Sequence, residues 1–106
     1  MDFKAMASKL GFSEADFIEL AQLLVTTSRS ELLTVEQGIA NESSATVAKA
    51  AHSIKGAAAN LGFTHIAAMA KELESLAVQK KFHKIRSTAA DLGANLDAIQ
   101  KVAEGC

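Results

Sequence analysis

Ala51-His52-Ser53-Ile54-Lys55-Gly56-Ala57-Ala58-Ala59-Asn60-Leu61-Gly62-Phe63 is the stretch whose reading decides the fold. Ala51, Ile54, Ala58 and Leu61 recur three and four residues apart, which places them on one face of a helix. Val47, four residues earlier, extends that seam, so the spacing predicts a helix over about 44–61. Gly62 ends it, and Thr64 is a suitable cap for a second helix. So short a break sends that second helix back antiparallel, as in a helical hairpin. It is predicted over about 64–79, with Ile66, Met69, Ala70, Leu73 and Leu76 inward.

Working outward, the same periodicity continues on both sides. Phe3, Met6 and Leu10 fit a short leading helix over 2–10, stopped by Gly11 and covering one end of the core. Ser13-Glu14-Ala15-Asp16 resembles a capping box with Asp16 in place of the usual glutamate. Phe17, Leu20, Ala21, Leu24, Ser28, Leu32, Val35 and Ile39 then mark one long amphipathic helix, about 14–40, with Gly38 and Asn41 near its end. Asn41-Glu42-Ser43-Ser44 is a polar connector that supplies a capping residue. Lys80-Lys81 marks another polar turn. Phe82, Ile85, Ala89, Leu92, Leu96 and Ile99 predict a last helix ending near Ala103, before Gly105. Gly93 lies inside it at a cost of about 1 kcal/mol against alanine and is expected to permit close helix approach. The expected fold is all-α: an up-down-up-down antiparallel four-helix bundle with a short extra N-terminal helix, forming a single domain over 1–106.

Composition agrees with that fold and excludes several functions. There is no proline, and alanine, leucine, glutamate, lysine and glutamine favour helix. Apolar residues make up 49% of the chain, which fits a globular protein. The formal net charge is −1, which gives no nucleic-acid footprint. Five phenylalanines are the only aromatic residues, too few for a base-stacking platform. No run reaches the ~18 apolar residues of a membrane span. The N-terminal residues lack the basic start and apolar core of a signal peptide. The single cysteine, Cys106, cannot form an internal disulfide and suits a reducing compartment. A cytoplasmic protein is expected. His65 and His83 stand near helix starts as solvated residues. No clustered ligand set suggests a metal, and no glycine loop suggests a nucleotide.

His52 is the residue with chemistry to offer. It lies one step off the seam of its helix, so it is expected at the border of the core and partly exposed. Ala48 and Gly56 stand one turn to either side, with Lys55 at i+3 and Lys49 at i−3. Small neighbours leave the imidazole accessible to something large. A mid-helix glycine weakens the helix, and close approach by another molecule would justify it. Histidine is a covalent nucleophile, and an ammonium group is a natural phosphate partner. Together these residues point to a histidine that carries a phosphoryl group.

His52-Ser53-Ile54-Lys55-Gly56, followed by Ala57-Ala58-Ala59-Asn60-Leu61-Gly62, resembles the signature of histidine-containing phosphotransfer domains. His-Ser-Ile-Lys-Gly is also similar to the phosphoacceptor domain of chemotaxis kinases. The signature spans eleven positions and falls on the second long helix of a four-helix bundle, where that family has it. The resemblance implies that His52 accepts a phosphoryl group, on Nε2, from a kinase or a receiver aspartate and passes it to another receiver. It implies that Lys55 stabilises the phosphoryl charge and that Gly56 clears the approach. It implies no cofactor of the chain's own, because the magnesium ion and the aspartate belong to the partner, and no autonomous kinase or hydrolase activity. Family members often carry an acid or amide 22 residues after the histidine to bond its Nδ1, and here that residue is Glu74. The hairpin agrees with this, since 52 and 74 lie ten and twelve residues from Gly62. Glu72 is turned away by ~200°.

The expected partners are a response-regulator receiver domain, a sensor histidine kinase, or both, met by a monomer. The alternative is a non-catalytic helical adaptor that binds a receiver or a partner helix. An adaptor would have no need of His52, Lys55 and Gly56 together. A dimerising phosphoacceptor domain of a sensor kinase fits less well, because Ser53 and Gly56 stand where that type has an acidic residue and a proline.

Overall fold

In a computed structural model of the chain, which describes residues 1–105, every regular element is a helix. They are α1 (Phe3–Leu10), α2 (Glu14–Ala40), α3 (Ser44–Asn60), α4 (Thr64–Val78) and α5 (Phe82–Gly105). The lone cysteine, Cys106, lies outside the described residues. α2 packs against α3 and α5, and α4 packs against α3 and α5, while α1 lies on α2. Among the described residues, neither diagonal pair of the four long helices brings Cα atoms within 8 Å of each other. This is the four-helix bundle with a leading short helix that the periodicity predicts.

Local sequence explains where the helices start. The Asp2 carboxylate accepts a hydrogen bond from the Ala5 amide at 3.1 Å. Ser13 Oγ accepts from the Asp16 amide at 3.1 Å, and Ser43 Oγ from the Thr46 amide at 3.3 Å. Each bond satisfies one orphan donor of a first turn. Thr64 departs from expectation: it is the first residue of α4, and Phe63 holds the cap position without a side-chain bond. The Phe63 ring goes to the core instead, with 6% of its surface exposed.

The four inter-helix turns share one construction. Gly11, Glu42, Gly62 and Lys80 have φ of 77°, 52°, 82° and 58°. The amide of each bonds back three residues, and the amide of the next residue bonds back five, as in Phe12 to Ala7, Ser43 to Gly38, Phe63 to Ala58 and Lys81 to Leu76. That pair of bonds is the Schellman closure, which requires a left-handed residue. Glycine fills it at no steric cost in two turns, whereas Glu42 and Lys80 carry a Cβ there, a conformation that disfavours L side chains by roughly 1–2 kcal/mol.

The core runs the length of the bundle. Phe17, Ile54, Leu73, Ile85, Leu92, Leu96 and Ile99 are its largest fully buried apolar side chains. Each contributes roughly 1.5–3 kcal/mol of transfer free energy relative to exposure. At one end Phe3, Phe17 and Phe63 form an aromatic trio with centroids 5.3–5.9 Å apart, so α1 does cover that end. Ala7 is the second buried residue of α1, while Leu10 is 41% exposed, because a helix this short presents only one strip to α2. Leu20, Leu32, Leu61, Met69, Phe82 and Ala89 are half-buried rather than central.

The close helix approach lies at Gly38, not at Gly93. A Cβ added at Gly38 would stand 2.7 Å from Val47 Cγ2 and 3.2 Å from the Ser43 carbonyl oxygen. At Gly93 the nearest atom, Leu32 Cδ1, would be 3.9 Å away, an ordinary contact. Among the described residues one buried polar side chain, Ser28, is 2% exposed, and its hydroxyl has no hydrogen-bond partner among them.

Candidate functional site

His52 sits midway along α3, on the helix face that no other helix covers. Its side chain is 68% exposed, more open than a position at the border of the core suggests. The cause is the run of small residues around it. A Cβ at Gly56, one turn on, would meet nothing within 4 Å. Ala59, a turn further along the same stripe, is exposed as well.

The α3–α4 hairpin delivers Glu74 to this face. Glu74 Oε2 lies 3.2 Å from His52 Nδ1, and Glu74 Oε1 accepts a hydrogen bond from Lys55 Nζ at 2.8 Å. One carboxylate therefore ties the imidazole and the ammonium together. Glu74 and Lys55 are both half-buried, with side chains 29% and 31% exposed. Their contact is thus less screened by water than a fully exposed pair.

The electrostatics follow from this geometry. The Glu74 carboxyl is held below its ordinary value of 4.5, first by the hydrogen bond from Lys55. The charges of Lys55 and His52 and the His52 contact add to that effect, and burial opposes it. Glu74 is therefore an anion at neutral pH. A carboxylate at Nδ1 favours the tautomer that carries its proton there. The lone pair then resides on Nε2. The product of this arrangement is a nitrogen nucleophile open to an electrophile from outside, with an ammonium group within reach of an incoming anion.

The structure brings together His52, Lys55, Gly56 and Glu74, the four residues singled out in the sequence. Lys55 has a resting partner that the spacing does not name. Spacing leaves it beside the imidazole, free to meet an anion, whereas in the structure it is bonded to Glu74. The signal lies in the helical wheel. Lys55 stands ~60° nearer the α4 side than His52 does, at the border of the seam rather than on its open crest. Lys49 is exposed, with Ser53 Oγ donating to its backbone carbonyl at 3.3 Å. Glu72 is exposed and apart from the site, and so are His65 and His83. Among the described residues no group of three or more His, Cys, Asp or Glu could hold a metal ion. No helix among them is long and apolar enough to cross a membrane.

An open groove of about 610 Å³ lies elsewhere, between α2 and α5. Its polar centre is already paired, since Arg29 donates to Asp97 Oδ1 at 2.5 Å and to Gln100 Oε1 at 2.9 Å.

Comparison with known proteins adds one finding: the family model described as the Hpt domain matches residues 19–105. Neither the curated proteins nor the solved structures give a match.

Proposed function

Since the chain belongs to the Hpt domain family, the histidine phosphotransfer modules of phosphorelays, we propose that His52 is its phosphoacceptor, with Lys55, Gly56 and Glu74 completing the site. The observation that carries this assignment is the contact of Glu74 with His52 Nδ1, which leaves Nε2 on an uncovered helix face.

The Nε2 lone pair attacks the phosphorus of an aspartyl phosphate on a receiver. The P–N bond forms as the P–O bond to the aspartate breaks, and the electron pair leaves with that carboxylate. The ring keeps its Nδ1 proton and gains positive charge, which the Glu74 carboxylate stabilises. Lys55 exchanges its bond to Glu74 for one to the phosphoryl oxygens. Gly56 leaves room for the partner's loops. Transfer onward to a second receiver is the same step reversed. With a sensor kinase as donor, the kinase supplies ATP and the metal. The chain acts as one domain over 1–106, a cytoplasmic monomer, and has no kinase or hydrolase activity of its own.

The test is labelling. With a phosphorylated receiver, or a kinase and labelled ATP, the protein takes up an acid-labile, base-stable label. Equal labelling of His52→Gln would remove His52 from the mechanism, whereas a receiver that binds the wild type without labelling it would leave the adaptor reading.

A further inference from the structure

Lys80, Lys81, His83, Lys84 and Arg86 fall within seven residues, with no acidic residue among them. They form the α4–α5 turn and the first turn of α5, and all five are exposed. Four of the chain's 11 lysines and arginines are gathered here, although the chain as a whole carries −1. Among the described residues none of these four is in an ion pair; the pairs that form are Arg29–Asp97 and the Glu74 contacts. The acids on neighbouring elements are few. Glu36 shares a groove with Arg86 without pairing to it, and Glu42 occupies the adjacent α2–α3 turn. The result is a cationic end on a molecule that is otherwise acidic.

Two features tie this end to the site. Lys80 lies six residues beyond Glu74, about 9 Å further along the bundle axis at 1.5 Å per residue. Lys49, exposed and one turn from His52, lies the same way along the axis and leads from the imidazole toward the turn. A typical protein partner covers roughly 800 Å², a footprint about 30 Å across, which spans both. The backbone supplies the second feature. Lys80 holds φ 58°, and Glu42 in the adjacent turn holds φ 52°, where Gly11 and Gly62 serve the turns at the other end, so this end carries charged side chains where glycine would be less strained.

We infer that the α4–α5 turn, through Lys80, Lys81, Lys84 and Arg86, is a second contact for the acidic face of the receiver that exchanges phosphoryl with His52. The inference rests on the phosphotransfer reading. A receiver brings carboxylates to the imidazole, namely the acceptor aspartate and the acids that hold its metal ion. A cationic end beside the site draws that face in and orients it before the phosphorus meets Nε2. Opposite charge at this range acts on association more than on the chemical step. Nucleic acid fits less well, since the one aromatic residue in the run, Phe82, is half-buried.

The experiment compares two triple variants with equal change in charge. Lys80→Glu/Lys81→Glu/Lys84→Glu reverses the turn; Glu42 already occupies the equivalent left-handed position, so glutamate is tolerated there. Lys4→Glu/Lys9→Glu/Lys101→Glu reverses exposed charges at the opposite end. The probe is a purified receiver domain chosen solely because it exchanges phosphoryl with the wild type. The turn variant should lower kcat/KM at low salt by about tenfold or more, leave the rate at saturation unchanged, and lose its deficit near 0.3 M salt. The opposite-end variant should stay near the wild type. Equal deficits in both variants, or none in either, would overturn the docking role while transfer by the wild type still stands. If no receiver exchanges phosphoryl with the wild type, the phosphotransfer reading itself fails. Turn-dependent sedimentation with phosphatidylcholine–phosphatidylserine vesicles, with transfer unaffected, would assign the turn to membranes and overturn the inference.

Discussion

Replacing Gly56 by alanine should make the protein more stable and a poorer phosphoryl carrier. The free molecule has room for the methyl group, because a Cβ at Gly56 meets nothing within 4 Å. What remains is the backbone term, which favours alanine over glycine in an exposed helix interior by about 1 kcal/mol. For a domain of this size that raises Tm by roughly 4–8 °C. The partner, however, must reach Nε2 across the stripe on which that methyl stands, one turn from the imidazole. A displacement of the reacting phosphorus by about 1 Å can cost on the order of 100-fold in rate, or about 2.7 kcal/mol of barrier. Thermal unfolding followed by circular dichroism measures the first effect, and single-turnover transfer from a phosphorylated receiver measures the second. A ten- to hundredfold slower transfer, to order of magnitude, is expected in a better-folded protein. Wild-type transfer would show that the partner does not approach over Gly56. An unchanged or lower Tm would show that the space at Gly56 is not open.

Three further outcomes are expected from other parts of the structure. Gly38→Ala should destabilise by about 1–3 kcal/mol despite its better helix propensity, read as a lower urea midpoint, because the new methyl would press on the fully buried Val47. Ser28→Ala should stabilise by about 1 kcal/mol in the same titration, since it removes a buried hydroxyl that has no partner. Glu74→Gln should cost up to about 1 kcal/mol at neutral pH, discounted for the partial exposure of both side chains, and should slow transfer to His52. Its pH dependence has a definite sign: the Glu74 carboxyl is depressed, so its stabilisation is present above 4.5 and fades as pH falls through its own lower value. The wild type and Glu74→Gln should therefore converge in stability in acid, and a gap that stays constant across that window would contradict the assigned partners.

Much of this architecture is legible in the sequence because amphipathic spacing and turn residues speak in the same register. Val47, Ala51, Ile54 and Ala58 fix the buried seam of α3, and Gly62 fixes where it ends. Glu74 is named by the family resemblance, and the hairpin agrees with it, since one tight turn pairs residues at similar distances from it. Three things are not legible. Gly38 reads as a residue near a helix end, because its crowding by Val47 depends on the distance between two helix axes, which periodicity does not encode. The trade of Thr64 for Phe63 at the start of α4 follows from burial: the core takes the ring, and the cap bond is forgone. The bond between Lys55 and Glu74 depends on rotamers of two long side chains, which spacing can permit but not choose.

The aromatic trio bears on how this protein should be cut for experiment. The family match begins at residue 19, inside α2 and beyond both Phe3 and Phe17. A fragment trimmed to that boundary would lose two of the three rings and leave Phe63 facing water just past the α3–α4 turn. The hairpin that holds the imidazole against its carboxylate would then be frayed at its tip. The span that sequence similarity recognises is therefore shorter than the span that closes the core, and a minimal working piece has to begin at or before Asp2, whose carboxylate starts α1.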